Sequence, residues 1–152
     1  MPRIRPAAPA DLDVLVDFNA AMALETEGRR LDPARLRAGV SAALSDPARG
    51  AYRVAEIDGH VVGALLLTRE WSDWRNAWFW WIQSVYVAPA ARGRGVYRAL
   101  HESVLAEARA DRDVCGVRLY VEQDNRAAQA TYDAVGMRRA RYVVYEDDFT
   151  AG

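Results

Sequence analysis

The residues best placed to do chemistry lie in the run ARGRGVYRAL, Ala91 to Leu100, which directly follows the strand-like stretch WWIQSVYVAP, Trp80 to Pro89. Two glycines and two arginines alternate where a strand ends and an apolar-periodic segment begins. Backbone N–H groups left unpaired at a helix start then meet concentrated positive charge, which is a setting for holding a phosphate. Gly93 and Gly95 permit dihedrals and close approach that a Cβ would block, and Arg92 and Arg94 bring charge-assisted hydrogen bonds to phosphate oxygens. Val96, Leu100, Val104 and Ala108 recur every four residues, so the spacing predicts an amphipathic helix over Val96 to Ala110 that begins at this loop. The loop lacks the Lys-Ser/Thr ending of a nucleoside-triphosphate loop, and no GxGxxG occurs in the chain. What remains fits another phosphate-bearing ligand, the alternative being a Gly-rich turn with two solvated arginines.

A second constellation lies further on. Asp124-Asn125 opens a segment in which Ala128, Thr131, Tyr132 and Val135 repeat at helical spacing before Gly136, so Asn125 sits at a helix start with Tyr132 about two turns beyond it. The lone Cys115 falls at a turn and His60 has no Cys, His or carboxylate at ligand spacing, so no metal site and no covalent cysteine intermediate are expected.

The elements that must carry these residues read as follows. Arg3-Ile4-Arg5 is a short strand signal. Pro9-Ala10-Asp11 starts a helix that ends near Gly28, and Asp32-Pro33 opens another that ends before Asp46-Pro47. Their connector, with Glu25, Glu27, Arg29 and Arg30, is charge-rich, as a solvated loop commonly is. AYRVAEI and HVVGALLLT around Asp58-Gly59 form a hairpin, EWSDWRNA (Glu70 to Ala77) interrupts the pattern, and Trp78 to Val87 is a long aromatic and β-branched strand. Trp78, Trp80 and Ile82 share one face and Phe79, Trp81 and Gln83 the other, unless a bulge exchanges the faces beyond it. Asp111 to Gly116 reads as a turn and Val117 to Glu122 as a strand. Two strands joined through a helix favour parallel pairing in a right-handed crossover, with the ligand crevice at their carboxyl ends. Met137 to Arg139 and Arg141 to Tyr145 are two final strand-like pieces.

Size and composition bound the classes. The 152 residues, 51% of them hydrophobic, suit one domain, residues 1–152, with a core that needs no staples. A net charge of -1 gives no basic field for nucleic acid, so phosphate binding must be local. All 20 basic residues are arginine, leaving no lysine of its own to modify, and one cysteine allows no intramolecular disulfide. Neither a signal-like nor a membrane-length apolar run occurs, so the expectation is a cytoplasmic protein with no membrane partner; a homodimer is compatible with the sequence.

The order strand, Pro, Arg-x-x-Gly-x, helix resembles the coenzyme A pyrophosphate loop of the GNAT N-acetyltransferase superfamily, Gln/Arg-x-x-Gly-x-Gly/Ala. Arg92 and Gly95 match, while Tyr97 stands where Gly or Ala is usual, a phenol that either crowds the ligand or turns along the helix. VEQDNRAAQATYDAVGM, Val121 to Met137, is similar to the second half of that family's cofactor site, with Asn125 at the helix start, Tyr132 reaching the thioester sulfur, and Gly136-Met137 closing it. The resemblance spans nearly the whole chain and implies an α/β fold of GNAT type: a central twisted mixed sheet, helices on both faces, and a parallel strand pair splayed at the cofactor site.

The resemblance further implies an acetyl-CoA-dependent acyltransferase that passes the acetyl group to a primary amine of a small molecule or peptide in a ternary complex. The cofactor set it implies is Val85, Tyr86 and Val87 through their backbones on the pantetheine arm, the loop Arg92, Gly93, Arg94, Gly95, Val96 and Tyr97, and Asn125. A protonated amine cannot attack a thioester, so a base or a desolvated site is required, and the leaving thiolate needs a proton donor, for which Tyr132 is placed. Where many relatives carry a Glu base this chain has Gln83, which cannot accept the proton. Glu70 is taken as the replacement, with Asp73, Glu25 and Glu27 as alternatives. The acceptor is expected to be cationic with an apolar portion, met by Glu25, Glu27, Trp71, Trp74 and Gln83. A non-catalytic CoA-binding or regulatory module is the alternative reading.

Overall fold

The computed structural model describes residues 1–150. The chain forms two compact units, one over Met1–Tyr120 and a smaller one from Val121 onward. In the first, β1 (Arg3–Pro6), β2 (Ala51–Ile57), β3 (His60–Ser72), β4 (Ala77–Val87) and β5 (Val114–Leu119) make one sheet in the order β1-β2-β3-β4-β5. The first four run antiparallel, and β4 and β5 are parallel.

Helices cover both faces for reasons visible in their sequences. α1 (Leu12–Glu27) ends at Gly28, whose left-handed φ of 61° lets its N–H turn back to the Ala23 and Leu24 carbonyls. α2 (Pro33–Ser45) starts with Pro33 at its first position, and Asp32 accepts from the Ala34 N–H at 3.2 Å. These two bury Leu15 and Val40 against Tyr52, Val54 and Ala64. On the opposite face α3 (Val96–Ala110), with the boundaries its periodicity predicts, packs Val96, Leu100 and Val104 onto Ala55, Leu65, Leu67 and Ile82. Near the first strand Arg5 bridges Asp11 at 2.8 Å and Glu56 at 2.8 Å, joining the chain's start to β2.

Three boundaries differ from the sequence-based expectation. β3 continues through Ser72 instead of ending near Thr68, because Glu70, Trp71 and Ser72 find partners in Phe79, Trp78 and Ala77, and the Trp71 and Trp78 rings meet edge-on at 4.9 Å. β5 is Val114–Leu119, so it both begins and ends three residues before the expected Val117 to Glu122. Gly116, which reads as a turn residue, lies inside the strand opposite Phe79. The third difference is at the end of the chain: Met137 to Tyr145 forms no strand among the described residues, since β-branched and aromatic content alone does not make a strand without a paired neighbour.

The smaller unit contains α4 (Arg126–Ala134). Asn125 caps it by accepting from the Ala128 N–H at 3.1 Å, and Gly136 with φ 88° turns the chain out of it. No helix among the described residues is long and apolar enough to cross a membrane.

Candidate active site

The phosphate loop is built where β4 gives way to α3. A single 3-10 turn, Pro89–Ala91, buries Ala91 and sends the chain outward, after which Gly93 and Gly95 take φ of 77° and 78°. Any residue with a Cβ is strained in that left-handed region. A Cβ at either glycine would meet no atom within 4 Å, so the space above the loop is open and the backbone can be approached closely. Gly95 is the N-cap of α3, its carbonyl accepts the first helical bond from Ala99 at 3.0 Å, and it supplies no side-chain cap. The first-turn N–H groups of Val96, Tyr97 and Arg98 have no intrahelical partner and carry the positive end of the helix dipole. Tyr97 does not lie across this opening: its ring stacks on His101, one turn further along α3, and its hydroxyl is buried.

The parallel pair opens beside the loop. β4–β5 pairing ends at Ile82↔Leu119, whereas β4 runs on to Val87. Val85, Tyr86 and Val87 pair with Leu65, Ala64 and Gly63 of β3 and have no β5 partner on the other side. An extended ligand carrying amide groups can add to such an edge as a strand would. The opening begins at a bulge. Leu66 faces Ser84 and Leu67 faces Ile82, so Gln83 is the extra residue on β4. The bulge exchanges faces: Trp80, Ile82, Val85 and Val87 all meet the α3-side core, while Ser84 and Tyr86 turn towards α1.

There, Ser84 and Tyr86 join Phe18, Asn19, Met22 and Tyr52 around a small, partly open cleft. Phe18 and Tyr86 have ring centroids 5.2 Å apart, and Asn19 donates to the Leu15 carbonyl at 2.8 Å. Burial pushes the Tyr52 phenol up; burial and then the hydrogen-bonded Glu25 carboxylate do the same for Tyr86. Arg92 closes the rim. Its Nε donates to the Val87 carbonyl at 3.0 Å, its Nη2 lies 3.2 Å from Glu25, and its guanidinium sits 5.4 Å from the centroid of the Tyr86 ring.

Glu70 lies elsewhere on the sheet. It pairs with Phe79, seven residues before Tyr86, so about 20 Å of strand separates it from Tyr86, the residue beside Glu25. Its Oε1 accepts from Trp81 Nε1 at 3.0 Å and from Arg118 at 2.8 Å. Arg118 also packs 3.6 Å from the Phe79 ring centroid, and the Trp81 and Tyr120 rings meet at a tilt of 38° with centroids 4.6 Å apart. Trp71 and Trp74 sit at the far end of the β3–β4 hairpin, 48% and 88% exposed, and Glu27 is exposed at the end of α1. Glu25 and Glu70 are thus not brought into one pocket.

In the smaller unit, Asn125 and Tyr132 are the cap and the second turn of α4, about 10 Å apart along its axis. Gln129 donates to the Glu122 and Gln123 carbonyls at 3.2 and 2.8 Å, and the Met137 N–H bonds back to the Tyr132 carbonyl at 3.0 Å. Neither unit holds a group of three His, Cys, Asp or Glu side chains able to hold a metal, among the described residues.

Residues not anticipated from the sequence are Phe18, Asn19, Met22, Tyr52 and Ser84 at the cleft and Trp81 and Arg118 around Glu70. Nothing in a linear pattern tells which side chains of α1 line a gap against a strand far along the chain. Trp81 carried a signal of a kind, being on the same predicted face as Gln83.

The comparisons with known proteins agree with this architecture. No curated protein matches the chain. Among solved structures, a possible acetyltransferase from Clostridium difficile 630 is 40% identical with a TM-score of 0.93, the match covering 99% of each chain. A ribosomal-protein-alanine N-acetyltransferase from Brucella melitensis shares the fold at 19% identity and a TM-score of 0.77, over 98% of this chain and 100% of that one. An aminoglycoside N-acetyltransferase in complex with CoA does so at 15% and 0.78, over 98% and 95%. The model of the acetyltransferase (GNAT) family matches residues 15–137, and with the loop, the open parallel pair and the Asn-to-Tyr helix in place, the chain belongs to the GNAT acetyltransferase family.

Proposed function

We propose that this acetyltransferase moves the acetyl group of acetyl-CoA to a primary amine of a small molecule or peptide, by direct attack in a ternary complex. The observation that carries the cofactor assignment is the loop of Gly93 and Gly95, both with positive φ and open space above them, leading into an α3 start that no side chain caps. Its N–H groups and Arg94 suit a pyrophosphate. The unpaired edge of Val85, Tyr86 and Val87 suits the amides of a pantetheine arm.

In the reaction the amine nitrogen attacks the thioester carbon, the nitrogen gives up a proton, and the carbon–sulfur bond breaks to leave a thiolate that takes one. Tyr132 is the proposed donor to that sulfur, with Asn125 fixing the start of its helix. Glu70 is the proposed proton acceptor. Both of its hydrogen-bond donors use Oε1, and its distance along the sheet from Tyr86 means that a chain of waters, not a single one, carries the proton to it. Gln83 sits at the bulge and can orient the amine through hydrogen bonds, but it cannot take the proton. An amide at that position also favours a second reading, a CoA-binding module without turnover.

The deciding experiment is a screen of amines, amino acids, aminoglycosides and peptides for release of free thiol from acetyl-CoA. Thiol release dependent on one class establishes the transferase and names its acceptor. Binding of acetyl-CoA with no release from any amine supports the module.

A further inference from the structure

Two residues with separate expected duties are salt-bridged to each other. Arg92 belongs to the phosphate loop, and Glu25 to the end of α1, at the rim of the cleft that Phe18, Met22, Ser84 and Tyr86 help to line. Arg92 spends Nε on the Val87 carbonyl and Nη2 on the Glu25 carboxylate, and both Arg92 and Glu25 also interact with the Tyr86 hydroxyl. Both side chains of the bridge are about half exposed, 50% for Arg92 and 41% for Glu25. Exposed pairs of this kind are weak, and a phosphate with its greater charge competes well for a guanidinium.

We propose that this bridge couples the two substrate sites: the cofactor's phosphates draw Arg92 away from Glu25, and the released carboxylate becomes the counter-charge for a cationic acceptor in the adjoining cleft. The proposal rests on the acetyl-CoA reading above and adds to it a coupling between the two ligands and a substrate class. Whichever ligand binds first breaks the bridge, and the second finds its partner already released, which is positive coupling. Because the bridge is exposed, the coupling is small, about two- to fivefold in affinity. The bound acceptor has a positive charge to spare, with an apolar part short enough for the Phe18–Met22 side of the cleft.

The test is a double-mutant cycle read by calorimetry with acetyl-CoA as the titrant, on the full chain. Glu25→Gln is expected to tighten acetyl-CoA about two- to fivefold, because Arg92 no longer has to be taken from a carboxylate. Arg92→Gln is expected to weaken it, and Glu25→Gln added to Arg92→Gln should have no further effect. A simple long-range repulsion between Glu25 and the phosphates would instead persist in the Arg92→Gln background, and that result overturns the coupling. So does weaker or unchanged binding in Glu25→Gln alone. If the unmodified protein does not bind acetyl-CoA at all, the cofactor reading fails and the coupling falls with it, an outcome distinct from the other two. Circular dichroism on each variant separates a lost fold from lost coupling.

Discussion

Phe79 lies so close to Gly116 that a Cβ built on the glycine would stand 2.7 Å from the ring's Cε1. The two residues face each other across β4 and β5, the parallel pair whose opening makes the candidate site. Gly116→Ala must push the ring or the strand aside. It is expected to destabilise the fold by about 1–3 kcal/mol. Urea unfolding of the two forms measures it, and equal midpoints would mean that the strands give way without cost.

Acetyl-CoA should raise the melting temperature of the unmodified protein, since a ligand present at about 100 times its dissociation constant adds about 2.7 kcal/mol. Gly95→Trp strains the left-handed cap and fills the open space over the loop, so this shift should vanish while circular dichroism stays native. An unmoved melting curve for the unmodified protein at millimolar acetyl-CoA is the result that excludes the cofactor.

Tyr132→Phe keeps the ring and removes only the hydroxyl. If that hydroxyl serves the departing thiolate, turnover should fall roughly a hundredfold or more, with acetyl-CoA affinity changed far less, because the interaction grows only as charge develops on sulfur. Turnover equal to that of the parent would leave Tyr132 as a packing residue.

Acid should weaken the fold in two steps. Burial holds the His101 imidazole below its ordinary 6.5, so the unfolded chain binds that proton more readily and stability declines as pH falls below about 6.5. The Arg5 guanidinium, helped by the Ala8 N–H, holds the Asp11 carboxyl below its ordinary 3.8; its contribution is complete above that value and is lost as pH falls through the lower folded one. Thermal midpoints measured from pH 8 to pH 3 should show both declines. His101→Gln should flatten the first only. Asp11→Asn should lower stability at neutral pH by about 1–3 kcal/mol, since Arg5 then keeps a weaker partner.

Glu70→Gln tests the proposed proton acceptor. Loss of general-base help is expected to lower turnover about a hundredfold while acetyl-CoA affinity stays near the parent value. Tryptophan fluorescence, to which Trp81 and the four other tryptophans of the β3–β4 hairpin contribute, reports whether the structure around Glu70 survives. Full turnover in this variant would remove Glu70 from the mechanism.

Much of this architecture is legible in the sequence where a residue has a local physical duty. Gly28 as a helix end, Asp32-Pro33 as a helix start, Asp58-Gly59 as a hairpin turn and Asn125 as a cap each act within a few residues of themselves, and all stand in the structure as read. The misread boundaries depend on partners far along the chain. Glu70 to Ser72 are strand because of Phe79, Trp78 and Ala77, and Gly116 is strand because an aromatic ring needs the space of its missing side chain. Arg92 reads from its loop as a candidate phosphate ligand, but its bond to Glu25, 67 residues away, leaves no such sign. Long-range ion pairs leave no periodic mark.

The unpaired Gln83 is the one residue of β4 that its pairing with β3 does not use. A chain lacking it would bring the two strands into regular register with every facing kept, Ile82 opposite Leu67 on the α3 side and Ser84 opposite Leu66 in the cleft. A single-codon deletion here would remove the bend and the Gln83 side chain from the opening while leaving the lining of the cleft and the core as they are.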